Sequence, residues 1–158
     1  MNCNLHFSSK TDLWNTPKYI FDIFNYFYHF NTDVCATDYN HLCEHYYTKE
    51  IDGLQQEWYG NCWMNPPYGR DIYNWVKKAY LSSLNGTIVV CLLPARTDTK
   101  WFQEFIFPYA SVIRFIKGRL KFGNSENSAP FPSVIVVFDH YNKYNKLNKQ
   151  IIGQLIVL

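Results

Sequence analysis

Apolar residues fall along this chain in two rhythms. Ile20, Ile23, Phe24 and Phe27 recur three or four apart, the spacing of one face of a helix. Thr16 can N-cap that helix with Pro17 at its first position, so a helix is predicted over about 18–28. The segment 31–36 reads as a short strand with its C-terminal turn, 39–47 as a second helix, and 61–64 as a strand. Beyond Gly69, the positions of Ile72, Tyr73, Val76, Ala79 and Tyr80 mark a helix ending near Asn85-Gly86. The run 87–94 is continuously apolar, as a strand buried on both faces is. Residues 61–94 are therefore a βαβ unit. Residues 98–107 read as helical, closed by Pro108, and 111–116 alternate as a strand. A polar loop rich in Asn and Ser covers 123–130, and 133–139 is another apolar strand. The polar stretch 1–13 reads as a loose arm. At the other end, the Asn/Lys stretch 142–149 precedes a last apolar segment able to form an edge strand.

Strands alternating with helices imply an α/β fold, a mixed and mostly parallel sheet with helices on both faces. Neither a repeat nor a linker interrupts the 158 residues, so a single domain over 1–158 is expected, with no separate recognition domain. The apolar runs are strand-sized, below the roughly 20 residues of a membrane span, and no charged-then-apolar leader opens the chain; a soluble, intracellular protein is expected. Five cysteines, an odd number, point to reduced thiols.

Charge is unevenly distributed along the chain. Residues 1–95 hold six Lys/Arg against nine Asp/Glu, and 96–158 hold nine against four. Arg114, Lys117, Arg119 and Lys121 fall close together with no acid between them. Such a stripe suits phosphate contact, and a solvated basic face looks the same in sequence.

The candidate chemistry lies at Asn65-Pro66-Pro67-Tyr68, which follows the strand at 61–64. An exocyclic amine on a planar ring shares its lone pair with the ring and is a poor nucleophile, so it needs an acceptor for each N–H. The Asn65 side-chain oxygen supplies one. Consecutive prolines have fixed φ and no N–H, which leaves the Pro66 carbonyl as a second acceptor without a competing donor. Tyr68 offers a flat face for a flipped base. A plain Pro-Pro turn, with Tyr68 packed on the core, is the competing account. In open α/β sheets ligands bind beyond the carboxyl ends of the strands, and both Asp33-Val34-Cys35-Ala36 and 65–68 sit at such ends, so one crevice could hold a cofactor and a clamped base.

Taken together, the motifs resemble the phage-type DNA N6-adenine methyltransferases, Dam-like enzymes that use S-adenosylmethionine. The resemblance runs through Trp14-Asn15-Thr16-Pro17, Thr32-Asp33-Val34-Cys35-Ala36, Gly53-Leu54 with Trp58, and Asn65-Pro66-Pro67-Tyr68-Gly69. It continues through Leu93-Pro94-Ala95-Arg96-Thr97-Asp98-Thr99 with Trp101-Phe102, Gly118-Arg119-Leu120-Lys121-Phe122 and Ala129-Pro130-Phe131-Pro132-Ser133. It implies a Rossmann-like methyltransferase fold and methyl transfer to adenine N6 in double-stranded DNA. The cofactor residues it implies are Trp14, Thr16 and Pro17, whose backbone would hold the methionine end, with Asp33, Cys35 and Ala36 in the cofactor loop and Asn65 beside them. Asp33 would accept hydrogen bonds from the methionine ammonium. Where adenine methyltransferases at large continue with Gly-x-Gly, this chain has Ala36-Thr37-Asp38. Asp52 is a candidate for the adenine end of the cofactor, alongside a turn role before Gly53. Asn65, Pro66, Pro67 and Tyr68 would form the catalytic clamp. Arg96, Arg119, Lys121 and Phe122 would meet DNA, the last three on a strand-loop-strand in which Phe122 or Phe131 is either a second stacking face or core. For Thr97 and Asp98, a helix cap by one of the two is the plain structural account. Action in a bacterial host cytoplasm follows for a phage-encoded enzyme.

Other readings fit the same residues. The same clamp could take adenine in RNA, cytosine N4 or a protein glutamine. Cys35, His41, Cys43 and His45 are zinc-competent, so a zinc-stabilised nucleic-acid-binding module is the alternative from another class, though a His-x-Cys-x-His run on a helix spreads its side chains about the axis. An inactive relative that only binds is a third. No metal is required by the methyltransferase reading, and the oligomeric state, monomer or homodimer through the aromatic surface or C-terminal strand, is left open.

Overall fold

A computed structural model describes residues 14–141. The polar arm at 1–13, the Asn/Lys stretch and the last apolar segment, including any dimer contact through it, lie outside the described residues. The chain runs α1 (Lys18–Tyr28), β1 (Thr32–Asp33), β2 (His45–Tyr46), β3 (Asn61–Met64), α2 (Ile72–Leu84) and β4 (Ile88–Pro94). A π-helical turn (Phe102–Ile106) then leads into α3 (Phe107–Tyr109), followed by β5 (Val112–Phe115) and β6 (Ser133–Phe138).

The six strands form one mixed sheet in the order β2-β1-β3-β4-β6-β5. Strands β2, β1, β3 and β4 pair in parallel, while β6 runs antiparallel to both β4 and β5. Register fixes the faces. Trp63 pairs with Val90, and Val90 with Val137, so these three side chains share one face. Trp63 is fully buried, and Phe21 of α1 meets its ring edge-on at 5.5 Å, which places α1 on that face. Cys62, Val89 and Phe138 share the other face, and Tyr80 of α2 lies 6.3 Å from the Phe138 ring. Helices therefore cover both sides. This two-sided burial is why β3, β4 and β6 read as unbroken apolar runs instead of alternating ones.

Three predicted features are corrected. The first is the start of α1: Pro17 occupies the N-cap, with ψ 125°, and no side chain caps the helix. Thr16 lies one residue outside, because its hydroxyl is taken by partners distant in sequence. The second is the helix expected at 39–47. Thr37 N–H donates to the Asn40 side chain at 2.7 Å, closing a turn, and the chain then enters β2, whose residues pair with Thr32 and Asp33 of β1. Side-chain bonding at the turn and strand pairing outweigh helix propensity here. The third is the helix at 98–107. Its middle widens into a π turn, with Phe107 N–H donating to the Phe102 carbonyl, and Pro108 sits inside α3 instead of ending the helix. A residue without an N–H is tolerated in the first turn of the short α segment that follows.

Candidate active site

Chain connections leave β1 toward β2 on one side and return through β3 toward β4 on the other. The point where the strand order reverses lies between the carboxyl ends of β1 and β3, which carry Asp33 and Asn65. The two ends are in contact. Val34 N–H donates to the Trp63 carbonyl at 3.1 Å, and the Asn65 backbone N–H lies against the Cys35 sulfur.

Asn65 is held from three directions. Its Nδ2 donates to the Trp14 carbonyl and, at 2.9 Å, to the Thr16 hydroxyl. Its Oδ1 accepts from the Tyr68 hydroxyl at 2.9 Å. A backbone carbonyl can only accept, so the contact with Trp14 fixes which end of the amide is nitrogen and turns Oδ1 the other way. The Tyr68 proton is shared with the Leu92 carbonyl at 3.2 Å, which ties the 65–68 turn to β4. Burial, then the neighbouring Cys35, raises the Tyr68 hydroxyl well above its ordinary value, so it stays a donor. Thr16 also accepts from Trp63 Nε1 at 3.3 Å. Pro66 is buried, and no hydrogen bond among the described residues engages its carbonyl.

Tyr68 is only 6% exposed. Its ring belongs to a four-ring cluster with Trp14, Phe122 and Phe131. Phe131 and Phe122 meet it edge-on at 5.5 and 6.2 Å, and both also meet Trp14 edge-on. Phe122, 4% exposed, is a wall of this cluster.

Asp33 is buried. Leu42 N–H donates to Oδ2 at 3.2 Å and Cys35 N–H to Oδ1 at 3.4 Å. Burial pushes its carboxyl up to about 6 despite these two donors. Each oxygen keeps further lone-pair capacity. Burial also raises the Cys35 thiol, with Asp33 and Cys91 adding to the effect, so sulfur is protonated at neutral pH. Ala36 N–H donates to the Tyr47 carbonyl, anchoring the loop on the exit of β2.

The remaining predicted residues sit elsewhere on the same edge or off it. Asp52 adopts positive φ, 56°, and its carboxylate accepts from Leu54 N–H at 3.1 Å, an Asx turn. Its neighbour Gly53 touches the β1 exit directly: a Cβ there would lie 2.2 Å from the Val34 carbonyl oxygen. Pro17 is buried, whereas Arg96, Arg119 and Lys121 are exposed. The turn after Arg96 is bonded by Thr99, whose hydroxyl donates to the Arg96 carbonyl at 2.7 Å. The expected strand-loop-strand is β5, the loop 116–132 and β6. His41 stacks on Tyr46 at 4.1 Å, and no three His, Cys, Asp or Glu side chains among the described residues converge as a metal site. The four described cysteines are free thiols, and no helix of the described residues is long and apolar enough to cross a membrane.

Two contacts carry no signal in the sequence. The Asn15 carbonyl accepts from Gly123 N–H at 2.8 Å, and its side-chain oxygen accepts from Asn40 Nδ2 at 2.7 Å. Residues 14–16 thus form a strap that touches Asn65, the loop 116–132 and the turn after β1.

A family model for DNA N-6-adenine-methyltransferase (Dam) matches residues 4–152. The chain is 28% identical over 153 residues to a DNA N-6-adenine-methyltransferase of Haemophilus phage HP1 (strain HP1c1), an alignment covering 92% of this chain and 88% of that protein. It is 37% identical over 97 residues to a DNA N-6-adenine-methyltransferase of Escherichia phage T1, covering 59% of this chain and 40% of that one.

Proposed function

We propose, from the premise that the chain belongs to the DNA N-6-adenine-methyltransferase (Dam) family, that it methylates adenine N6 in double-stranded DNA with S-adenosylmethionine as donor, acting as one Rossmann-like methyltransferase domain over 1–158. The observation that carries the reading is the fixed Asn65 amide, its oxygen turned away from two acceptors at the reversal of strand order. The cofactor fits the donor set. A buried carboxylate with spare lone pairs at the β1 exit suits the methionine ammonium, and Cys35 and Ala36 continue the same loop. S-adenosylmethionine supplies a methyl group already activated by its sulfonium, so no metal is called for.

The protein's part is placement. The base leaves the stack, and its N6 hydrogens are accepted by Asn65 Oδ1 and the Pro66 carbonyl while Pro67 keeps the turn rigid. This draws electron density onto N6, which would attack the methyl carbon as its bond to sulfur breaks, the proton lost from N6 then passing to water. Asn65 Oδ1 has two lone pairs, one used by Tyr68, so the other is left for the substrate. Phe122 and Phe131 part from the Tyr68 ring to admit the base. Arg96, Arg119 and Lys121 contact phosphates. The enzyme works in the cytoplasm of the bacterial host.

The test is tritium transfer from labelled S-adenosylmethionine to unmethylated duplex DNA, with nucleoside analysis of the product. N6-methyladenine is expected from the wild type and none from Asn65→Ala. Label appearing only in RNA or protein overturns the substrate, and undiminished transfer by Asn65→Ala overturns the clamp.

A further inference from the structure

Between α1 and β5, last in order among the described strands, lies a groove of about 320 Å³, separate from the ring cluster. Ile20, Phe24, Leu120 and Ile135, all buried, line it, while Tyr19 and Phe115, 56% and 52% exposed, present aromatic surface to solvent. Arg114, Lys117 and Arg119 also line it. The lining includes no carboxylate, and none of these cations is ion-paired among the described residues.

Its place matters as much as its composition. Strand β5 runs antiparallel to β6, as β4 does, so Phe115 and Lys117 lie toward the same edge of the sheet as Asn65. The groove residue Leu120 is two residues from Phe122, which touches Tyr68. Two residues of chain span at most about 7 Å. A DNA strand rises roughly 3.4 Å per nucleotide, so the groove lies within a few nucleotides of the clamp.

We infer that this groove receives a nucleotide flanking the target adenine, with its base against Tyr19 and Phe115 and its phosphate among Arg114, Lys117 and Arg119. The inference rests on the DNA-methylating reading and extends the contact surface beyond the loop 116–132. Apolar rings set among unpaired cations match a nucleic acid strand, which offers π faces and phosphates in alternation. An anionic membrane surface would meet the charges but has no use for a narrow groove that continues toward a base clamp.

The full-length protein is assayed for methyl transfer and for binding of fluorescent duplexes. Arg114→Ala/Lys117→Ala and Tyr19→Ala are compared with Lys77→Ala, a charge control on exposed α2 surface. Each groove variant is expected to raise KM for DNA about tenfold with kcat within about threefold of wild type. The double variant is expected to flatten the slope of log affinity against log salt by roughly one, near the 0.9 expected for the one phosphate it would release. Shortening the duplex on one side of the target should raise the wild-type KM and leave that of the groove variants nearly unchanged. Equality of the groove variants with Lys77→Ala, while the wild type methylates DNA, overturns the groove and spares the enzyme. Loss of binding to phosphatidylserine vesicles, with KM for DNA unchanged, also overturns it. A wild type that neither binds nor labels DNA removes the underlying reading itself.

Discussion

Thr16 carries two hydrogen bonds on one hydroxyl oxygen, from Asn65 Nδ2 and Trp63 Nε1. Thr16→Val keeps the shape and removes the acceptor, leaving an indole N–H of a fully buried ring and one amide hydrogen without it. Stability should fall by about 1–3 kcal/mol, seen as a lower denaturant midpoint. Methyl transfer should fall at least tenfold in kcat, with Thr16→Ser restoring most of both; full activity in Thr16→Val would show that Asn65 is held well enough by Trp14 and Tyr68. Asp33 adds a pH dependence. Its carboxyl ionises near 3.8 in the unfolded chain and near 6 in the folded one. The folded state therefore holds the extra proton in that window, and stability falls as pH rises from about 4 to about 6. At 1.36 kcal/mol per unit, the loss is about 3 kcal/mol, constant above pH 6. Cofactor binding should run the opposite way, tightening as the carboxylate forms. Asp33→Asn should flatten the stability profile and weaken S-adenosylmethionine at pH 7, both readable by denaturant titration and calorimetry. Of these placements, that of Asp33 at the carboxyl end of a strand was legible in the sequence. That of Thr16 was not, since a threonine before a proline is also how a helix begins.

Elements dominated by one apolar rhythm were readable from the chain: α1, β3, α2, β4, β5 and β6 all lie where spacing puts them. The misread segment was 39–47, where His and Tyr residues are half-polar and give no clean period. Its conformation comes from Asn40 closing a turn and from pairing with β1 thirteen residues back in register, Thr32 to His45. The π turn at Phe102–Ile106 was equally hidden, because it changes hydrogen bonding without changing which side chains are apolar. Gly53 shows how one element constrains another. A methyl group there would press on the Val34 carbonyl, which belongs to the backbone and has little room to retreat. Gly53→Ala should cost about 1–3 kcal/mol and weaken cofactor binding more than DNA binding. Thermal melting and equilibrium dialysis would measure both, and an unchanged melting temperature would mean that the turn around Asp52 gives way freely.

Over the whole molecule, the sheet brings together groups spread from Trp14 to Ser133, and the charge follows the fold: Arg96, Arg114, Lys117, Arg119 and Lys121 all lie in or beyond the strands that follow the clamp. The general architecture was visible in the alternation of strands and helices. The antiparallel placement of β6 between β4 and β5 was not, since pairing partners leave no mark on a continuous apolar run. On the proposed function, the strap at 14–16 joins parts that would bind different molecules, with Asn40 on the cofactor side and Gly123 on the DNA side. Occupancy at either end would steady the same three residues and so lower the cost of ordering them for the other. Linkage then requires reciprocity: S-adenosylhomocysteine should tighten DNA by the factor, about five- to tenfold, with which DNA tightens S-adenosylhomocysteine. Asn15→Ala should shrink both factors together, and an undiminished factor would locate the communication elsewhere. A side chain that touches neither substrate would in this way make their affinities cooperative.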